Sequence, residues 1–312
     1  MFLIFLLVII LFVFFLTILI KNLNTKNSNL NEENYSDQDK ENTIQQKMEK
    51  YNNFLNILKN LKYKKSIKRF EIPIYYINLE KSKDRDNEMI NQKNKYNLFL
   101  QRIEGVYGKN LQDTKKGEFF LTPDKKINFI NKFLNVKDEE SVLGCTLSHI
   151  KAIYTAFINN NEIAMIVEDD TSFITFNHWS RKIGQIIKKA PLDWEIINLF
   201  HFCEKEKNNK FKSNKDLCFS TTCYIINRKG MNKLIYSVLK DNCIILEKTK
   251  KNIEQNDKLD ADFFIYNLVE SYHYNGKLLI FPNILFESTI HPDHFEVQLN
   301  NTLSKITNFL KI

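Results

Sequence analysis

The sequence predicts an α/β domain on a mostly parallel sheet, and three observations predict it. Short, wholly apolar, β-rich runs alternate with longer segments of helical periodicity, as strands buried on both faces by helices do. The chain is 43% apolar and 13% aromatic, enough to bury a sizeable core. The cleanest apolar run ends in three consecutive acids, and in open α/β sheets ligands bind at the carboxyl ends of strands.

Residues 2–20 hold no charge, and Thr17 is their one polar side chain. About 20 apolar residues span a bilayer core of ~30 Å. A basic n-region and an A-x-A-like cleavage site are both missing, so residues 1–20 read as an uncleaved signal-anchor rather than a signal peptide. Residues 21–66 are polar. They divide into a disordered tether (21–40) and a helical stem (43–62), where Ile44, Met48, Tyr51, Phe54, Leu55, Leu58 and Leu61 recur at helical spacing. That stripe could pack on the globular domain or on a second copy, forming a homodimer. The domain itself is expected over 67–300, with a tail at 301–312.

Within the domain, Ile72–Leu79 reads as a buried strand and 82–97 as a polar helix. A helix is expected from Ser148 to Ile158, because Ile150, Ile153, Tyr154 and Phe157 share one face. Ile163–Val167 is the strand that delivers Glu168-Asp169-Asp170. Further strands are expected at Trp194–Phe200, Cys223–Ile226 and Leu278–Phe281, with a helix at Met231–Leu239.

Charge narrows the partners. The net charge is +8, but only 5 of the 45 basic residues are Arg, the usual reader of phosphate and guanine. The Lys and Asn bias fits an AT-rich genome better than a nucleic-acid binder. Membrane orientation stays open. Lys21 and Lys26 after the span favour a cytoplasmic domain, whereas the sequons Asn34-Tyr35-Ser36 and Asn300-Asn301-Thr302 would be usable only in a lumen of the secretory pathway. Five scattered cysteines lack paired metal-ligand spacing. No P-loop, dinucleotide fingerprint, H-E-x-x-H or G-x-S-x-G is present.

Three groups carry candidate chemistry. Clustered carboxylates repel one another unless a cation sits among them, and oxygen donors such as Glu168 and Asp170 suit Mg²⁺ or Mn²⁺. A solvated turn is the bland reading. Asp260 and Asp262 precede an aromatic run, where either could be a general base or a helix cap. His291 and His294 flank Pro292-Asp293 and could complete a metal shell.

The order of the pieces resembles glycosyltransferase family 25. The resemblance rests on Ile77-Asn78-Leu79 with Arg85, on Gly144-Cys145-Thr146-Leu147-Ser148-His149, and on Ile166-Val167-Glu168-Asp169-Asp170. Asp193-Trp194-Glu195 with its following strand, Tyr224-x5-Gly230 and a late Asp262 continue it. Two positions depart from the family pattern: Tyr107 stands where Asp is usual, and Asn227 where Ser is usual. The resemblance implies a GT-A-like nucleotide-diphospho-sugar transferase. Such an enzyme would be metal-dependent and inverting, and would move a hexose, galactose first, from a UDP-sugar to a glycan or glycoprotein hydroxyl. On that reading Glu168, Asp170 and His291 hold Mn²⁺ or Mg²⁺, with His294 as the second choice of histidine. Asn78, Arg85, Asp169 and His149 serve the donor, and Asp262, or failing it Asp260, is the base. An inactive, membrane-tethered glycan-binding or adhesion homologue is the alternative; a metal-dependent phosphohydrolase or nuclease is a third.

Overall fold

A computed structural model describes residues 72–133, 139–200, 211–213, 220–248 and 259–274, with isolated positions between 45 and 56. The chain divides into compact units of residues 1–53 and 54–312, and everything from residue 72 onward belongs to the second. The expected membrane span, tether, strand at Leu278–Phe281, tail, His291 and His294 lie outside the described residues. The stem positions that are described, among them 45, 49, 52 and 56, are helical.

Among the described residues the central sheet has seven strands, in the order β2-β1-β5-β8-β6-β11-β7. They are β1 (Ile74–Asn78), β2 (Leu100–Glu104), β5 (Ile163–Glu168), β6 (Ile196–Asn198), β7 (Phe211–Ser213), β8 (Cys223–Asn227) and β11 (Ser271–Tyr274). The sheet is mixed, which corrects the expectation of a mostly parallel one. β1 is parallel to β2 and β5, and β6 to β11, but β8 runs antiparallel to both β5 and β6, and β7 antiparallel to β11. Cys223–Ile226 is buried on both faces, and an apolar run of that kind reads the same in either direction.

Helix α1 (Lys83–Tyr96) returns the chain from β1 to β2. It carries Asp84 and Asp86 in its first turn, Lys93 and Lys95 in its last, and ends on Asn97 at φ 52°. Charges and cap thus all suit the helix dipole and the left-handed exit. Helix α2 (Glu139–Ile158) starts nine residues before the expected Ser148. Gly144 is no boundary but a contact. A Cβ there would lie 2.6 Å from the Val106 carbonyl oxygen, and one on Gly108 would overlap the Glu140 carbonyl. The helix therefore rests directly on the loop after β2. It is also the one helix among the described residues long and apolar enough to cross a membrane, yet 67% of its most apolar window is buried, so it is a core helix.

Helix α3 is Phe176–Lys189 and α4 is Arg228–Val238. Asn227 caps α4 by accepting from the Gly230 amide at 2.8 Å, so Asn in place of Ser keeps a good N-cap. Glu195, 1% exposed, accepts from the Glu270 amide at 2.7 Å and pairs with Lys233 at 2.9 Å and Lys229 at 3.0 Å. The Asp193-Trp194-Glu195 block thereby ties α4 to the sheet. A second sheet, β3-β4-β10-β9, contains the hairpin β3 (Lys116–Thr122) and β4 (Lys125–Asn131), then β9 (Leu239–Lys240) and β10 (Cys243–Leu246). Phe119, Leu121, Ile127 and Phe129 face the core, and Phe120 is left outside. Helix α5 (Ala261–Leu268) packs on α2 and α4.

Candidate active site

β5 ends at Glu168, and the chain turns at once, the Thr171 amide donating to the Glu168 carbonyl at 3.0 Å. The alternation that would have sent Glu168 and Asp170 to one side as a strand does not continue. The turn instead gives each of the three carboxylates its own surroundings.

Asp169 is clasped. Arg85 donates to its Oδ1 and Asn78 Nδ2 to its Oδ2, both at 2.8 Å. Asn78, 1% exposed, also donates to the Ser82 carbonyl at 3.0 Å and accepts from Arg102 Nε at 2.9 Å. Its amide is thus spent on protein partners and positions Asp169, while Arg85 lines the cleft. Arg102 was not anticipated, since a cation in the middle of a strand carries no motif.

Glu168 faces α2. Its Oε1 accepts from Thr221 Oγ1 at 2.6 Å and lies 3.6 Å from His149 Nε2. His149 Nδ1 is 3.1 Å from the Tyr224 hydroxyl. Nε2 faces the Glu168 carboxylate and carries the ring proton there, so in a neutral ring Nδ1 accepts from the Tyr224 hydroxyl. Burial alone would raise the Glu168 pKa, but His149, Thr221 and Arg85 outweigh it and hold the group below its usual value. His149 lies in the middle of α2, not at a helix start, and is 1% exposed; it backs Glu168. Thr221 and Tyr224 were missed as site residues, although Tyr224 opens a block already singled out.

Asp170 is the exception. It is 7% exposed, and its Oδ1 is buried with no hydrogen-bond partner. Burial first, and then the charge of Glu168, push its pKa up to about 8. A buried carboxylate oxygen without a donor is costly unless protonated or neutralised, and a hard divalent cation does the latter. Glu168 Oε2 takes no hydrogen bond among the described residues, so two hard oxygens are available. No cluster of three His, Cys, Asp or Glu side chains able to hold a metal occurs among the described residues. The donors therefore fit an ion that fills its shell with phosphate oxygens and water, as Mg²⁺ commonly does.

Asp260 sits at the N-cap of α5 without a side-chain cap bond. Asp262, in the first turn, accepts from the Phe263 amide at 2.8 Å. Its pKa is raised to about 7, by burial first and then by the charges of Asp260 and Glu168. Cys145 of α2 lines the cleft and feels Glu168, Asp262 and Asp260 together. The late acids and the strand-end acids are therefore neighbours, joined through α2. The adjoining cleft is lined by Arg85 of α1, His149 of α2, Tyr107 of the loop after β2, and Glu168 and Asp169 at the end of β5; Asp170, Asp260 and Asp262 are not among its lining residues.

Comparison with known proteins places the chain among relatives. Over 172 residues, 52% of this chain, the sequence is 27% identical to procollagen galactosyltransferase 2 of Mus musculus and to that of Homo sapiens. It is 24% identical over 174 residues to a glycosyltransferase 25 family member of Aedes aegypti. In each case the matched stretch is 27% of the relative's own length, so the chain spans about a quarter of those proteins. The family described as glycosyltransferase family 25 (LPS biosynthesis protein) matches residues 71–247. That stretch includes the Asn78–Arg85–Asp169 clasp, the strand-end acids and the His149–Tyr224 support, though not Asp260 or Asp262. With more than half its length matched, the chain belongs to glycosyltransferase family 25.

Proposed function

We propose that this protein transfers a hexose, galactose first, from a UDP-sugar to a glycan or glycoprotein hydroxyl with inversion. The orphaned Oδ1 of Asp170 beside Glu168 carries the reading. Glu168 and Asp170 would hold Mn²⁺ or Mg²⁺, which when bound would neutralise charge on the diphosphate leaving group. Arg85 and Asn78 fix Asp169 and with it the turn, so Glu168 and Asp170 keep their aim. Asp262, poised near neutrality, would take the acceptor hydroxyl's proton as that oxygen bonds to the anomeric carbon and the bond to UDP breaks. The galactose choice comes from the names of the relatives. Residues 2–20 support a single-pass anchor in an intracellular membrane.

The test is UDP release from a panel of UDP-sugars by the full chain, with and without Mn²⁺ or Mg²⁺. Metal-dependent release that favours UDP-galactose and is lost in Asp170→Asn is expected. No release with any donor and any divalent ion would end the reading.

A further inference from the structure

A second cleft of about 660 Å³ adjoins the first and shares Leu79, Lys81, Val106 and Tyr107 with it. Its far wall is the β3–β4 hairpin, and α2 contributes one side chain, Lys151. Lys151 is 8% exposed. Among the described residues its ammonium has no hydrogen bond and no ion pair. Its aliphatic stem is packed away while its ammonium still meets solvent in the cleft, the usual arrangement of a lysine that buries its chain and keeps its head accessible, so an anion in the cleft can reach it. Burial lowers its pKa from the ordinary lysine value, with Glu104 pulling the other way. The strand-end cleft does not use this charge.

We propose that the second cleft is an anion subsite, in which Lys151 binds the carboxylate of an acidic sugar, a uronic acid being the simplest case. The rim chooses among anions. Glu80, Glu104 and Glu118 all line the cleft, Lys126 is already paired with Glu118, and Lys81 lies 3.9 Å over the Tyr107 ring. With Glu118 paired, Lys151 and Lys81 face the two remaining carboxylates, Glu80 and Glu104, a balance that suits a single negative charge better than a phosphate dianion. Phe120, 53% exposed, offers an apolar face to a pyranose, whose body is apolar on one side and polar at its edge. Tyr107, the position at which this chain departs from the family pattern, becomes the wall between the two clefts. That the acidic sugar belongs to the acceptor rests on the transferase reading; the anion subsite does not.

The experiment measures binding to the purified full chain without any donor. Methyl β-D-glucuronide, methyl β-D-glucoside and glucose 6-phosphate are titrated into the wild type and into Lys151→Met, which keeps the length of the stem and removes the charge. The glucuronide should bind at least tenfold more tightly than either of the others, and Lys151→Met should bring it down to the glucoside's affinity. Equal binding of glucuronide and glucoside by the wild type would overturn the proposal without reference to any variant. Retention of the preference in Lys151→Met, tighter binding of the phosphate, or displacement of the glucuronide by UDP would also overturn it. Failure of the wild type to bind UDP would count against the transferase reading and leave the anion subsite standing.

Discussion

At Asp262 the surroundings that would make a general base also bear on stability. Its folded pKa of about 7 lies above the ordinary 3.8, so the folded protein holds a proton that the unfolded chain releases. The stability this contributes is present below pH 3.8 and is lost as pH rises through 7. Solvent partly reaches the carboxylate, so the loss is about 1–2 kcal/mol rather than the full ~4 kcal/mol. Asp262→Asn should therefore melt at a higher temperature than the wild type at pH 8, and match it at pH 4. The same variant should lose transfer activity by roughly 10²–10⁴-fold, together with the wild type's rise in rate through pH 7. A variant that keeps activity would move the base elsewhere, to Asp260 first. At Glu168 the support is polar rather than apolar. Thr221→Val removes the 2.6 Å hydrogen bond, and should cost about 1–3 kcal/mol in thermal unfolding, since the carboxylate would lose a donor it needs.

At the scale of elements, the contact between α2 and the loop after β2 organises the site. Gly108 and Gly144 let backbone meet backbone there, which brings Cys145, His149 and Lys151 of α2 to the two clefts. Gly144→Ala should destabilise by about 1–3 kcal/mol or more, read as a fall in the melting temperature. It should weaken UDP binding as well, although Gly144 touches no ligand. The same contact explains what the sequence hid. Five-residue apolar runs marked β1, β5 and β8 well, because burial on both faces leaves a plain signal. The role of Gly144 carried no local signal, because its reason lies 36 residues away at Gly108. The β3–β4 hairpin was overlooked although Phe119/Leu121 and Ile127/Phe129 alternate around Pro123-Asp124, a pattern that reads as strand–turn–strand. The acids at 168–170 and 260–262 were legible as charged groups at the ends of apolar runs. Their meeting through Cys145 was not, because only the tertiary fold packs α5 on α2. Thr221 and Lys151 are silent in sequence for the same reason, since each matters through a partner or a cleft distant along the chain.

For the whole molecule, residues 2–20 and the transferase domain make separate predictions. The full chain should stay with membranes through alkaline extraction, and two lysines placed inside residues 2–20 should release it, because each charge at mid-bilayer costs about 2.5–3.5 kcal/mol on insertion scales. Extraction of the unaltered chain at high pH would instead argue that the span is not inserted. The net charge of +8 should add little to substrate choice, as the charges that matter are the few buried ones. The central claim is that the strand-end acids hold a divalent ion against a sugar nucleotide's diphosphate, and calorimetry of UDP binding tests it most directly. UDP should bind the wild-type full chain at least tenfold more tightly with Mn²⁺ than with a chelator, and Asp170→Asn should bind it equally weakly in both. An unchanged affinity on metal removal, or an unchanged metal effect in Asp170→Asn, would contradict the claim.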